Sequence, residues 1–110
     1  GLGAQYIGNV VTALQKTQRA AEAVDLSSCA LPVAAKSNNP RETLFTLCDN
    51  AVSLFCCERF AESAMVLESV HQRAREVGDA EAMGWAANYL RDFGVFSGSP
   101  AYSQALERLR

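Results

Sequence analysis

Apolar residues recur along this chain at spacings of three and four, the periodicity of an amphipathic helix. The first such pattern predicts a helix from about Ala4 to Val24, with one apolar stripe made of Ile7, Val10, Leu14, Ala21 and Val24. No stretch alternates with period two, and no Asn-Gly or Asp-Gly hairpin turn occurs. Strands are therefore not expected, and the pattern favours an all-α chain.

The segment from Asp25 to Asn39 breaks this periodicity. It is rich in residues that favour turns, namely Ser27, Ser28, Pro32, Ser37, Asn38 and Asn39. Leu31 and Val33 make it too apolar for a free linker, and we expect them to contact the core. The pattern predicts an irregular, packed connection over these residues.

A helix start signal follows the connection. Asn39 can cap the helix, and Pro40 suits the first helical position. Glu42, at the third position, can hydrogen-bond back to the cap residue. The apolar residues that follow keep to one helix face as far as Phe55. From Phe60 onwards they recur again, but in a different helical phase. We therefore predict a turn near Cys57 to Arg59 and a second helix from about Phe60 to Val77. One long bent helix is the alternative, because no Gly or Pro marks this turn.

The C-terminal third carries clearer boundary signals. Gly78 is a typical helix C-cap and Asp79 a typical N-cap. The helix after them is predicted to stop at Gly94, before a loop over residues Val95 to Gly98. Ser99-Pro100 then predicts the start of a last helix, which carries Tyr102, Ala105, Leu106 and Leu109.

Two predicted hairpins, Leu44 to Val77 and Ala80 to Arg110, align with each other. The paired positions are Ala51 with Ala87, Leu54 with Leu90, Phe60 with Tyr102, Ser63 with Ala105, and Leu67 with Leu109. Small residues at such positions let paired helices approach closely. Similarity between consecutive helical hairpins of one chain is typical of helical repeat arrays.

These positions resemble the tetratricopeptide repeat family. The small, large, Gly, aromatic and small residues of its pattern correspond to Ala87, Leu90, Gly94, Tyr102 and Ala105. The stretch from Ala74 to Gly94 resembles the longer-repeat branch of that family. The resemblance implies stacked helical hairpins with an inner face that holds an extended peptide or a helix. Because two repeats are fewer than such arrays usually need, we expect the N-terminal helix to cap them.

The predicted fold is therefore all-α, with about five helices forming a tetratricopeptide-like helix-hairpin array and an extra N-terminal helix. An irregular helical bundle is the alternative. Residues 1–110 fit a single domain. Because the chain begins with Gly1 rather than Met, we expect it to be part of a longer protein.

Charge and cysteine content narrow the classes of partner. The formal net charge is −2, so no basic excess is present to neutralise phosphates, and we expect neither nucleic acid nor an anionic membrane as partner. The four cysteines include the adjacent pair Cys56 and Cys57, which is atypical of a secreted disulfide scaffold. Reduced thiols indicate an intracellular location, cytoplasmic or nuclear.

The residues with reactive side chains do not form a recognisable catalytic pattern. Cys48, Cys56, Cys57 and His71 lack the C-x-x-C spacing of zinc sites. Glu68 and His71 form one Glu-x-x-His pair, whereas di-iron bundles need two, and the chain has a single His. No glycine-rich phosphate loop is present. We therefore predict a protein that is not an enzyme and has no cofactor or metal.

The tetratricopeptide register implies a partner-binding face. It would consist of Phe45, Val52, Phe55, Gly84, Asn88 and Arg91, with Cys48 among them. Asn88 and Arg91 beside an apolar patch would suit a segment that carries a carboxylate. The alternative is that Phe45 and Phe55 pack under the first helix. A second feature is aromatic, formed by Trp85, Tyr89, Phe93 and Phe96, and it would also suit self-association.

These observations favour a protein-interaction domain, an adaptor or scaffold that binds a peptide or helix of a partner protein. A helical oligomerisation or assembly domain of a larger protein is the first alternative, with a homo-oligomer as its product. A small helical enzyme or metal-site protein is the remote alternative.

Overall fold

The computed structural model describes residues 20–36 and 39–109. Five helices account for most of them: α1 (Ala20–Ala35), α2 (Pro40–Cys56), α3 (Phe60–Val77), α4 (Ala80–Ser97) and α5 (Pro100–Arg108). No strand occurs within these two ranges. The predicted all-α helical array is confirmed.

Helix α1 corrects the predicted irregular connection. Residues 25–35 are helical, and Pro32 lies in the last turn of α1, where it is exposed. Pro32 lacks the N–H that would bond to the carbonyl of Ser28, so α1 loses one hydrogen bond in its last turn, while its alanine-rich sequence favours the helix. Of the predicted first helix, residues 4–19 lie outside the described part of the chain. The side chains of Leu31 and Val33 lie outside it as well.

The predicted start of α2 is confirmed. The Asn39 side chain accepts a hydrogen bond from the backbone N–H of Arg41 at 3.1 Å, and Pro40 is the first helical residue. The backbone N–H of Glu42 also donates to the Asn39 carbonyl at 3.1 Å. The orphan donors at this helix end are thereby partly satisfied.

The turn between α2 and α3 is also confirmed, so the single bent helix is wrong. Glu58 adopts a left-handed φ of 61°, and the Glu58 and Arg59 N–H groups donate to the carbonyls of Phe55 and Leu54 at 3.0 and 2.9 Å. This is the Schellman arrangement, which usually has glycine at the left-handed position. Gly78 occupies that position after α3, with a φ of 74°.

Helix α4 runs past the predicted stop. Gly94 lies inside the helix, which continues to Ser97 and ends at Gly98 with a φ of 70°. A Cβ atom on Gly94 would lie 3.4 Å from the Cβ of Tyr102 in α5. Gly94 therefore serves the close approach of α4 and α5, and the loop predicted over residues 95–98 is wrong for 95–97. The predicted start of α5 is confirmed, because Ser99 caps it.

The helices stack as consecutive neighbours. Helix α2 contacts α1, α3 and α4, while α3 also contacts α4 and α5. The described part is 17 Å thick along its shortest axis, which fits two layers of helices packed about 8–10 Å apart. One layer contains α2 and α4, which lie side by side, and the other contains α3 and α5.

Two buried clusters hold the layers together. One comprises Leu44, Cys48, Val70, Ala74, Ala82 and Ala86, and the other Ala51, Ala64, Leu67, Leu90, Phe93, Tyr102 and Ala105. Ala51 and Ala105 are fully buried, as their spacing indicated. In α4 the fully buried small residues are Ala82 and Ala86, whereas Ala87 is half-buried. None of the described helices is long and apolar enough to cross a bilayer.

Candidate partner-binding surface

An apolar surface follows the line where α2 lies beside α4. We call it the α2–α4 seam and define it by Phe45, Val52, Trp85, Tyr89 and Phe96. Phe45 is 56% exposed and Phe96 is 76% exposed, while the other three are half-buried. The α4 members recur at i, i+4 and i+11, which places them on one helix face.

Phe45 and Trp85 join the two helices at one end of the seam. Their rings meet edge to face, with centroids 6.3 Å apart. The guanidinium carbon of Arg41 lies 5.4 Å from the centroid of the Trp85 ring. The indole therefore contacts both an aromatic ring of α2 and a cation, two interactions that aromatic rings favour.

Arg41 also ties the two helix N-termini together. Its Nε and Nη2 atoms donate to the two carboxylate oxygens of Asp79 at 3.1 and 2.9 Å, and Nη2 lies 3.3 Å from Glu81. Asp79 in turn caps α4 by accepting from the N–H of Ala82 at 3.1 Å. The hydrogen bond from Arg41 lowers the pKa of Asp79, with a further contribution from the Ala82 N–H. A bidentate pair of this kind fixes the relative position of two helix starts.

Further along the seam, aromatic rings fill the space beneath it. Phe55 stacks on Phe93 with centroids 4.1 Å apart and an interplanar angle of 14°. Phe93 meets Tyr102 edge to face at 5.7 Å, and Phe60 meets Tyr102 at 5.9 Å. Phe55 is thus part of the contact between α2, α4 and α5, and the stack supports the seam from below.

The six residues predicted for the partner-binding face divide into two groups. Phe45 and Val52 lie on the seam, and Phe55 lies beneath it. The remaining three lie on the outer face of α4 and are all exposed: Gly84, Asn88 and Arg91. A Cβ atom on Gly84 would meet nothing within 4 Å. The structure therefore does not bring the six together as one surface.

The internal alignment explains this division. Cys48, Val52 and Phe55 of α2 correspond to Gly84, Asn88 and Arg91 of α4. In α2 these positions lie against α4, and Cys48 is buried there with Ala82 and Ala86. In α4 no further helix of the described chain covers the same positions. Equivalent positions in the two hairpins therefore have different environments.

The aromatic residues of α4 form a separate feature in the sequence, whereas in the structure Trp85 of this group contacts Phe45 of α2. Arg41 is not predictable as part of the surface, because its role depends on Asp79 and Trp85. The helical periodicity of α2 does not indicate which residues of α4 will lie beside Arg41.

Two of the cysteine thiols, those of Cys48 and Cys56, lie where the thiolate is disfavoured. All four cysteines are free, and burial, with a smaller effect of Asp49, raises the pKa of Cys48 to about 12. Burial and then Cys57 raise the pKa of Cys56. A nucleophile or metal ligand needs the thiolate, which these environments disfavour. Across residues 20–36 and 39–109, no three His, Cys, Asp or Glu side chains come together as a metal-binding group.

His71 is buried, and its Nδ1 atom makes no hydrogen bond within the described chain. Burial, followed by the nearby charge of Arg75, lowers the pKa of His71. The imidazole is therefore neutral at physiological pH and belongs to the core of the helical stack.

A concave region lies between α1, α2 and α3, with a volume of about 290 Å³. Its lining combines apolar and polar side chains: Val24, Ser28, Asn50, Leu54, Arg59, Glu62, Met65 and Val66. Asn50 donates to Ser28 at 3.2 Å, and Arg59 pairs with Glu62 at 2.6 Å. Its polar groups thus bond to one another, whereas the seam presents aromatic rings.

Comparison of the chain with protein-family models, with curated proteins and with solved structures finds no match in any of the three. The arrangement of residues is therefore the basis for a functional proposal.

Proposed function

We propose that this chain is a protein-interaction domain, a tetratricopeptide-like pair of helical hairpins that binds a peptide or helix of a partner along the α2–α4 seam. In this role it acts as an adaptor or scaffold inside the cell. The proposal requires no catalytic group, cofactor or metal.

The observation that carries the proposal is the exposure of large aromatic side chains on one surface. Contiguous exposed apolar side chains are costly in water and commonly mark interaction sites. Aromatic residues are also enriched among those that contribute most to binding energy. Phe45 and Phe96 would be covered by a partner, while Trp85 and Tyr89 would form the floor beneath it.

The rigidity of the seam supports the same proposal. Arg41 fixes one end through Asp79 and Trp85, and the Phe55–Phe93 stack supports the seam further along. A surface that is already ordered loses little conformational entropy on binding. A peptide helix that lies along two neighbouring helices is a recurrent recognition mode.

The test uses Trp85, the one tryptophan of the chain, as a probe within the seam. Peptides selected from a random displayed library on the immobilised domain are titrated while tryptophan emission is recorded. We expect saturable emission changes that Phe45→Ala with Phe96→Ala abolishes. The matched control is Met65→Ala with Val77→Ala, which removes two exposed apolar side chains of α3. Equal loss of binding in both double variants would contradict the assignment to the seam.

Assembly of several copies of the chain is the second candidate, favoured by the same exposed aromatic pair. Sedimentation analysis across a concentration range distinguishes it from partner binding. A dimer that dissociates in the Phe45→Ala, Phe96→Ala variant would favour assembly. A monomer that still binds the selected peptides would favour the adaptor role.

A further inference from the structure

Acidic and aromatic side chains alternate along the seam side of α4. Glu81, Trp85, Asp92 and Phe96 follow one another at intervals of four, seven and four residues, which keeps them on one helix face. The side chains of Glu81 and Asp92 are 63% and 57% exposed. The apolar seam is thus bordered by carboxylates that a bound segment would meet.

The charges near Trp85 do not balance. One guanidinium, that of Arg41, is shared by the carboxylates of Asp79 and Glu81, at 2.9 and 3.3 Å. Asp79 forms the bidentate contact with Arg41, so Glu81 is the more weakly paired of the two carboxylates. These three side chains therefore carry one net negative charge between them.

Arg91 is the basic residue of α4, and it offsets the carboxylates that border the seam only weakly. The Nε atom of Arg91 lies 3.9 Å from Asp92, at the limit of an ion pair. Its Nη2 atom instead donates to the side-chain oxygen of Asn88 at 2.8 Å, on the outer face of α4. Arg91 thus bonds mainly to Asn88 and leaves Asp92 with a weakly held cation.

From the alternation of exposed carboxylates and aromatic rings we infer that the occupant of the seam is a basic amphipathic helix of a partner protein, with apolar side chains on the rings and Lys or Arg beside Glu81 and Asp92. This inference rests on the proposed function and adds that the partner segment is positively charged. Charge complementarity at the border of an apolar interface sets specificity and association rate more than affinity.

The test compares two helical peptides of the same length and apolar pattern, one with Lys and one with Glu at every polar position. Both are titrated into the full chain, with Trp85 emission as the signal. We expect the Lys peptide to bind about tenfold more tightly at low salt, since each exposed ion pair contributes roughly a factor of three. The preference should shrink in about 1 M salt, where the screening length falls to about 3 Å.

Charge-neutral variants test the residues themselves. Glu81→Gln with Asp92→Asn should remove most of the preference for the Lys peptide, with each titration referred to the emission of that variant without peptide. The matched control is Glu76→Gln with Glu107→Gln, which neutralises two exposed carboxylates on α3 and α5 and should keep the preference. A control that loses the preference as fully as the seam variant would overturn the inference, because net charge alone would then explain it.

The two proposals fail in different ways. If the Glu peptide binds as tightly as the Lys peptide, the basic partner is wrong and the seam remains a binding site. If neither peptide, nor any library peptide, changes the Trp85 signal, both the seam and its basic occupant are wrong.

Discussion

The side-chain hydroxyl of Ser63 in α3 donates a hydrogen bond to the backbone carbonyl oxygen of Ala51 in α2, at 2.7 Å. Both residues are fully buried. Burial raises the pKa of the neighbouring Tyr102, whose hydroxyl makes no hydrogen bond within the described chain. A buried hydroxyl at this point therefore links two helices where the aligned position of the second hairpin, Ala105, has none.

Ser63→Ala is expected to lower the free energy of unfolding by about 1 kcal/mol, because a buried hydrogen bond is lost. Urea denaturation measures the change. Ser103→Ala is the matched control, since the Ser103 hydroxyl is exposed and bonds only to Pro100 of its own helix. Equal effects of the two substitutions would show that the contact with Ala51 contributes nothing specific.

Glu58→Gly is expected to raise the free energy of unfolding by about 1 kcal/mol, because Glu58 has a left-handed backbone that only glycine adopts without strain. Glu58→Ala, which keeps the strain, should have little effect. The reciprocal change, Gly78→Ala, should destabilise by a similar amount. Thermal denaturation of the three variants measures these changes in stability. If the Glu58→Gly variant were less stable than the original chain, the assigned turn would be wrong.

The glycines inside α4 should respond differently to substitution. Gly84→Ala is expected to stabilise the chain by roughly 0.5–1 kcal/mol, because the position is open and alanine favours helix. Gly94→Leu should instead destabilise it by about 1–3 kcal/mol, since the larger side chain collides with Tyr102. Denaturant midpoints distinguish the two. Gly84→Ala should also leave peptide binding intact, because Gly84 lies away from the seam.

Asp49 is expected to make stability depend on pH. Burial raises its pKa from 3.8 to about 6, so the folded state binds a proton more readily than the unfolded state. Stability contributed by this group is therefore complete below about pH 4 and is lost as the pH rises through 6.

Asp49→Asn removes this dependence and should stabilise the chain at pH 8 by about 1–2 kcal/mol, allowing for partial solvent screening. At pH 4 the variant and the original chain should have similar stability. Unfolding measured at several pH values checks the difference, with the exposed Asp92→Asn as control. An advantage of Asp49→Asn that is equal at both pH values would mean that the carboxylate is not the titrating group.

Boundary residues made most of the fold predictable. Asn39-Pro40, Gly78-Asp79 and Ser99-Pro100 act through local backbone hydrogen bonds, so their sequence is sufficient to predict helix ends. The phase break at Cys57 to Arg59 predicted a turn even though Glu58 takes the place of glycine. These signals involve only neighbouring residues, so they predict helix ends without any knowledge of the packing.

Pro32 and Gly94 show where local reading fails. Each residue has two physical uses, since proline can end a helix or occupy its last turn, and glycine can end a helix or permit close packing. Tertiary contacts decide between the two uses, as Tyr102 does at Gly94. The seam is a similar case, because Phe45 meets Trp85 only after two hairpins have stacked.

The outer face of α4 has a consequence for growth of the array. It presents Gly84, Asn88 and Arg91 where α2 presents Cys48, Val52 and Phe55 to the next hairpin. Arginine and asparagine make it costly to strip water from this edge, so lateral addition of another hairpin is discouraged. Replacing Asn88 and Arg91 with Val and Phe would give this edge the apolar character of α2 and should promote self-association, which sedimentation analysis measures.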